Sequence, residues 1–315
     1  MQSGSDTASN SPSVPAWPVM VLAHNEERHI TNCLDSIVNA EQGRAFEVFV
    51  MANGCTDRTE DIVKQYARRC PQVHCVSIDL GDKCNAWNVF IHDTVPAHAP
   101  DSEVYFFMDG DCRAAPGSFS SMANALATDL RAYAASAVPA SGRNIDANQK
   151  EMLRERGLAA GFYALRGSFV SRLRTLNVRL PLKLEGNDGL IGALARWDLD
   201  PQRNQYDDSR ILPCADAGFL FESMSPTRLS DWLMYWKRAV RYGRRHYEFK
   251  LLAPSLKAKG IAGLPRDITE LYGAASSLPL RWQGLYTLPN WVALSRMRRI
   301  GAAGNSLSPR VRRSG

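Results

Sequence analysis

Two carboxylates one residue apart, Asp109 and Asp111 around Gly110, close the apolar run Val104-Tyr105-Phe106-Phe107-Met108. Five apolar residues in succession read as a strand buried on both faces, as strands of parallel sheets are. In an extended chain residues i and i+2 point to the same side, so both carboxylates can face one cation. Hard oxygen ligands of this kind suit Mg2+ or Mn2+, ions that bridge to substrate phosphates. Glycine between the two leaves out the Cβ that would hold a phosphate ligand away. The same Asp-Gly pair is also a turn signal, so this stretch alone leaves site and turn both open.

The elements that must position these residues alternate. Residues 19–23 predict a short strand, and Ile30, Cys33, Leu34, Ile37 and Val38 follow at the spacing of an amphipathic helix. Residues 46–51 predict a second strand running into Asn53-Gly54-Cys55-Thr56-Asp57. There Asp57 and Glu60 match a capping pair for a helix carrying Ile62, Val63, Tyr66 and Ala67. Residues 73–78, 84–92 and 104–108 continue as strand, helix and strand. This alternation implies an α/β fold of βαβ units, with right-handed crossovers and a parallel sheet. Ligands of such sheets collect at the carboxyl ends of the strands. His24-Asn25-Glu26, Asn53-Gly54 and Asp109-Gly110-Asp111 all fall at such ends, which favours the site over the turn.

Past residue 117 the pattern is mixed: helix over 119–126, strand over 133–138, interrupted helix over 151–173. A helix opens at Asn187 or Asp188, ahead of Leu190, Ile191, Leu194 and Ala195, and residues 211–221 read as a late strand. Residues 229–250 predict a strong helix whose Trp232, Tyr235, Trp236, Ala239, Val240 and Gly243 share one face, read as core packing. Lys237, Arg238, Arg241, Arg244 and Arg245 lie around its other faces.

A formal charge of +6 over 315 residues favours anionic partners. No nucleic-acid-reading motif accompanies it, so the expectation is no nucleic acid. Seven cysteines, odd in number, show no paired metal-site spacing. Residues 1–13 lack the basic and apolar regions of a secretory signal, and no apolar run approaches the roughly 20 residues that span a bilayer. The expected setting is cytoplasmic and reducing.

Together these pieces resemble the family 2 glycosyltransferases, which have the GT-A fold. Val21-Leu22-Ala23-His24-Asn25-Glu26-Glu27 looks like that family's first-strand motif, with His24 where tyrosine is commoner. The stretch from Ala52 to Thr59 is similar to its second motif, with Ala52 in place of the first acid. Lys83-Cys84-Asn85-Ala86-Trp87-Asn88 resembles its Lys-x-x-Ala-x-Asn segment. Asp109-Gly110-Asp111 matches the DXD motif, and Gly186-Asn187-Asp188 falls where the family has Glu-Asp or Asp-Asp. The resemblance covers roughly residues 18 to 246, and five weak motifs in the right order are specific.

The resemblance implies a metal-dependent inverting transferase that takes a nucleoside-diphosphate sugar, a UDP-sugar foremost, to a sugar or lipid-linked acceptor. It implies Mn2+ or Mg2+ on Asp111 directly, with Asp109 at the ribose or metal-bound water. Ala23, His24, Glu26, Asn53, Lys83 and Gly110 complete the expected donor site: His24 stacks on the nucleobase, Asn53 hydrogen-bonds it, and Lys83 offers charge to the phosphates. Asp188 is the expected general base, with Glu185 in reserve; the plainer alternative is that Asp188 or Asn187 only caps a helix. Arg238 and Arg241 either reach the diphosphate or form a solvated face. Arg238-Ala239-Val240-Arg241-Tyr242 stands where processive members carry Gln-x-x-Arg-Trp, so single addition is expected. A sugar nucleotidylyltransferase would need a glycine-rich basic loop after the first strand, where this chain reads Ala23-His24-Asn25-Glu26-Glu27.

The expected organisation is a disordered leader over 1–16 and a GT-A catalytic domain over 17–225, its nucleotide half about 17–115 and its acceptor half about 116–225. A helical C-terminal extension over 226–300 and a basic flexible tail over 301–315 follow. Residues 278–313 combine Trp282, Leu285, Tyr286, Leu288 and Trp291 with Arg281, Arg296, Arg298, Arg299, Arg310, Arg312 and Arg313. That composition either docks on the inner face of an anionic membrane or packs on the catalytic domain.

Overall fold

The computed structural model describes residues 16–41, 45–98, 102–142, 144–222 and 229–306. In chain order it forms β1 (Trp17–Ala23), α1 (Ile30–Val38), β2 (Phe46–Asn53), α2 (Thr59–Arg69) and β3 (Val73–Ile78). Helix α3 (Lys83–Val89) runs through a π turn into α4 (Val95–His98), followed by β4 (Val104–Asp109), β5 (Cys112–Ala114) and α5 (Ser118–Thr128). Then come β6 (Ala134–Pro139), α6 (Ile145–Glu155), β7 (Phe162–Arg166), α7 (Gly167–Thr175), α8 (Asn187–Arg196) and β8 (Ile211–Phe221). Two long helices close the chain, α9 (Leu229–Lys259) and α10 (Thr287–Ser306), with 3-10 segments between them. The expected leader lies outside the described residues up to Pro15. The flexible tail expected over 301–315 needs correction: residues 301–306 belong to α10, and the rest, with Arg310, Arg312 and Arg313, lies outside the described residues.

The strands assemble in the order β3-β2-β1-β4-β7-β6-β8-β5. The first four are mutually parallel. Side-chain alternation sends Val19, Val21, Val48, Val50, Val104 and Phe106 into one core, where Ile30 and Leu34 of α1 and Val63 of α2 meet them. Met20, Phe49, Met51, Tyr105 and Phe107 face the other core, with Ala86 and Trp87 of α3. Both faces are thus covered, which is why these strands are apolar throughout. Since β1 to β3 step outward under α1 and α2 while α3 returns the chain along the opposite face to β4, strand order reverses between β1 and β4. A crevice at the carboxyl ends of those two strands is the geometric result.

Two expectations need correction. Residues 151–173 are not one interrupted helix: Phe162–Arg166 is a strand, antiparallel to β4 and to β6. Its side chains alternate between the two cores, Phe162 and Ala164 to one, Tyr163 and Leu165 to the other. Gly167 ends it where a Cβ would stand 1.8 Å from the Ser102 carbonyl oxygen, so only glycine fits. The aromatic face of α9 is not core either. Trp232 is 62% exposed and Trp236 38%, while Val240, Tyr247, Leu252 and Leu256 carry the packing. Periodicity assigned these side chains to one face, but the first turns of α9 lie on the surface. Ala293, Leu294 and Met297 of α10 join the same core, so the two last helices are built into the body.

Candidate active site at the reversal of strand order

Loops at the carboxyl ends of β1, β2 and β4 are stitched together by their own polar side chains. Asn25, in the left-handed region at φ 58°, accepts from the Thr56 and Asp57 amides through Oδ1. The Glu26 amide donates to Thr59 Oγ1, and the Glu27 amide to Asp57 Oδ2. Asp57 accepts from the amide of Thr59, the first residue of α2, one position ahead of the N-cap residue Arg58, and Glu60 bonds Ser77 and Lys64 instead of completing the expected capping pair. His24 is exposed, its Nδ1 2.6 Å from the Asn53 carbonyl oxygen. Asn53 is buried, with its Oδ1 committed to the Asp82 amide. Gly54, at φ 60°, lets Gly81 approach so closely that a Cβ would lie 2.6 Å from the Gly81 Cα.

Gly110 serves a neighbour other than the expected one. Its amide donates to the Leu22 carbonyl, and a Cβ there would meet that oxygen at 3.0 Å and the Ala23 Cβ at 3.3 Å. The space it saves is therefore taken by β1. Asp109 is half-buried and takes both Lys83 contacts, Nζ to Oδ1 at 2.8 Å and to Oδ2 at 3.1 Å. Lys83 thus holds Asp109 instead of standing free for phosphates. Burial works to lower the Lys83 ammonium, but Asp109 outweighs it and the pKa stands above its ordinary value. Burial raises the Asp109 carboxyl, against the opposing pull of Lys83. Glu26 is also raised, first by burial and further by the charges of Asp111 and Asp109. Asp111 is exposed and forms no ion pair among the described residues. Three carboxylates crowd a region that favours a cation.

Among the described residues no group of three His, Cys, Asp or Glu side chains forms a metal cage. The donor set fits a hard cation held by one or two carboxylates and completed by phosphates and water.

A second group of polar side chains comes from α8 and α9. Asp188 is buried in the first turn of α8, behind Gly186 as N-cap residue, and no side chain caps this helix, Asn187 included. Its Oδ2 pairs with Arg245 Nη2 at 2.9 Å. Room for that arginine is made by glycines on both sides: a Cβ at Gly186 or Gly189 would come within 2.9 Å of it. Glu248 is fully buried and accepts from the Glu185 amide at 2.9 Å, Arg244 Nε at 2.7 Å and Tyr272 Oη at 2.6 Å. Arg244 also bonds Glu185 Oε1, so Glu185 is tied into this network. Asp109, Lys83 and Asn187 line one recess with Trp87 and Tyr163, and the Asp188 charge acts on both Lys83 and Asp109. Lys83 and Asp109 are thus brought together with Asn187 and near Asp188 from the second half of the chain. Arg245 and Glu248 were missed by sequence reasoning, although a carboxylate flanked by Gly186 and Gly189 already signals a close approach.

A family model, Glycosyl transferase family 2, matches residues 19–187. No curated protein matches the chain. Among solved structures, the mannosyltransferase PcManGT from Pyrobaculum calidifontis, in complex with GDP-Man and Mn2+, is 17% identical with a TM-score of 0.55. That match covers 93% of this chain and 87% of the other. TarS residues 1–349 from S. aureus are 18% identical with a TM-score of 0.49, covering 92% and 91%. The mostly parallel sheet flanked by helices, with helices at its C-terminal end, is the arrangement of GT-A glycosyltransferases.

Proposed function

The chain belongs to glycosyl transferase family 2 and is a glycosyltransferase, and on that premise we propose that it moves a sugar from a nucleoside-diphosphate donor to an acceptor hydroxyl with inversion. The observation that carries this reading is the juxtaposition of Asp109, Lys83 and Asn187 in one recess, with the charges of Asp188 and Asp111 both acting on Lys83. A displacement needs its donor-side and acceptor-side groups held close together.

Asp188 is assigned the general base. The acceptor oxygen forms its bond to the anomeric carbon as the bond to the diphosphate oxygen breaks, and the hydroxyl proton passes to Asp188. Arg245 on Oδ2 orients that carboxylate, while Oδ1 has no partner among the described residues. Asp111, with Asp109, is assigned to a divalent ion, Mn2+ or Mg2+, which when bound supplies Lewis-acid stabilisation of the departing diphosphate. Lys83 adds positive charge beside Asp109. His24 stacks on the base, Asn53 offers its amide nitrogen, and Ala23, Glu26 and Gly110 shape the donor pocket. The acceptor is a sugar or lipid-linked hydroxyl. Single addition is supported by Arg238 and Tyr242 at the positions of the processive motif, where they bond each other on the exposed surface of α9. No helix among the described residues is long and apolar enough to cross a membrane.

A thermal-shift panel of UDP, GDP, CDP and dTDP, each with and without Mn2+, tests the reading. Binding to the native state alone raises the melting temperature by mass action. One nucleotide is expected to stand out, and only with the metal present. Four flat responses would contradict the proposal.

A further inference from the structure

The exposed aromatic side chains of this protein are concentrated in its C-terminal helices. Trp232, Leu233 and Trp236 project from the first turns of α9, Trp282 (83% exposed) and Leu285 (95%) from the segment that leads into α10, and Trp291 (54%) from the start of α10 itself. The two segments adjoin: a Cβ at Gly243 of α9 would lie 2.8 Å from Asn290 Oδ1, and the Arg281 amide donates to Tyr247 Oη. The same two segments carry Lys237, Arg238, Arg241 and Arg281, all exposed and none in an ion pair among the described residues. Neither residues 232–247 nor 278–300 contain a single Asp or Glu. A soluble surface disperses its large apolar side chains; a contiguous group of them marks a docking face.

We propose that this face docks on an anionic lipid bilayer. Tryptophan and tyrosine settle at headgroup level, and arginines beside them are drawn to acidic headgroups. A protein partner or a second copy would need carboxylates to answer the arginines, and neither of these two stretches offers one to a copy of itself. The geometry also bears on the acceptor, and this part rests on the transferase reading. Trp236 precedes Arg245, the partner of Asp188, by nine residues of one helix, about 13 Å along its axis. Docking thus brings the acceptor wall close to the lipid surface, where a hydroxyl carried on a lipid would be presented.

The test is co-sedimentation of the full chain, without substrates, with vesicles of phosphatidylcholine alone and of phosphatidylcholine with phosphatidylglycerol, at low and high salt. Two variants accompany it: Trp232→Ser/Trp236→Ser/Trp282→Ser/Leu285→Ser, and Arg238→Gln/Arg241→Gln/Arg281→Gln. Since these side chains are exposed, melting temperature should stay unchanged, and the tryptophan variant should keep nucleotide binding. The expected result is binding to anionic vesicles at low salt only, with a partition coefficient about a hundredfold lower in the arginine variant and a clear loss in the other. A full chain that stays in the supernatant, or variants that sediment like wild type, would overturn the proposal. So would a dimer in solution that the tryptophan variant dissociates while vesicles are ignored. If vesicle binding holds and no nucleotide binds, docking stands and the transferase assignment of the site falls.

Discussion

At the scale of single residues, the carboxylates of the site differ by their partners. Asp188 is buried, with an arginine on one oxygen and no ion-pair partner among the described residues on the other. Asp188→Asn should keep the fold and donor affinity while transfer falls about 10²–10⁴-fold, the usual contribution of a general base. Turnover near wild type would reduce Asp188 to a structural role. A second residue prediction concerns pH. Burial, opposed by the Val178 carbonyl, holds the His92 imidazole below its ordinary value of 6.5, with Nε2 2.9 Å from that oxygen. The unfolded chain therefore binds this proton more readily than the folded one. The stability His92 contributes is full above pH 6.5 and is lost as pH falls towards the depressed folded value. Melting curves of wild type and His92→Gln between neutral and mildly acidic pH should converge on acidification. Parallel pH profiles would remove His92 from the account.

At the scale of elements, glycines and one buried acid decide how the walls meet. Gly167→Ala would press a methyl group into the Ser102 carbonyl at the junction of β7 and α7. A loss of about 3 kcal/mol is expected from such overpacking, read as a lower urea midpoint. An unchanged midpoint would mean that junction is looser than described. Glu248→Ala strips a buried carboxylate from Arg244, Tyr272 and the Glu185 amide. Removing one partner of such a network costs about 3 kcal/mol or more. Transfer should drop as well, because the loop ahead of Asp188 loses its anchor; full activity in a destabilised Glu248→Ala would show that the loop positions itself. The parallel half of the sheet was readable from sequence because each strand there is an apolar run ending in polar residues. Strand β7 was not, since Tyr163 and Leu165 also fit a helix, and only pairing with β4 selects the extended form.

At the scale of the whole molecule, the order of motifs along the chain made the strand ends legible: Ala23 and Asn53 close β1 and β2, Asp109 closes β4, and Lys83 joins Asp109 in one recess. The ion pair of Lys83 with Asp109 and that of Arg245 with Asp188 were not legible. Contacts of 26 and 57 residues' separation depend on how helices pack, which periodicity does not encode. The exposed face of α9 escaped for the same reason. Whether the molecule works as described turns on its metal-linked donor site, and calorimetry on wild type and Asp111→Ala measures that directly. With the preferred nucleoside diphosphate, wild type should bind in Mn2+ and lose most of that affinity in chelator, while Asp111→Ala, folded and melting like wild type, should bind weakly in both. Equal affinity for the two proteins in Mn2+ would contradict the account.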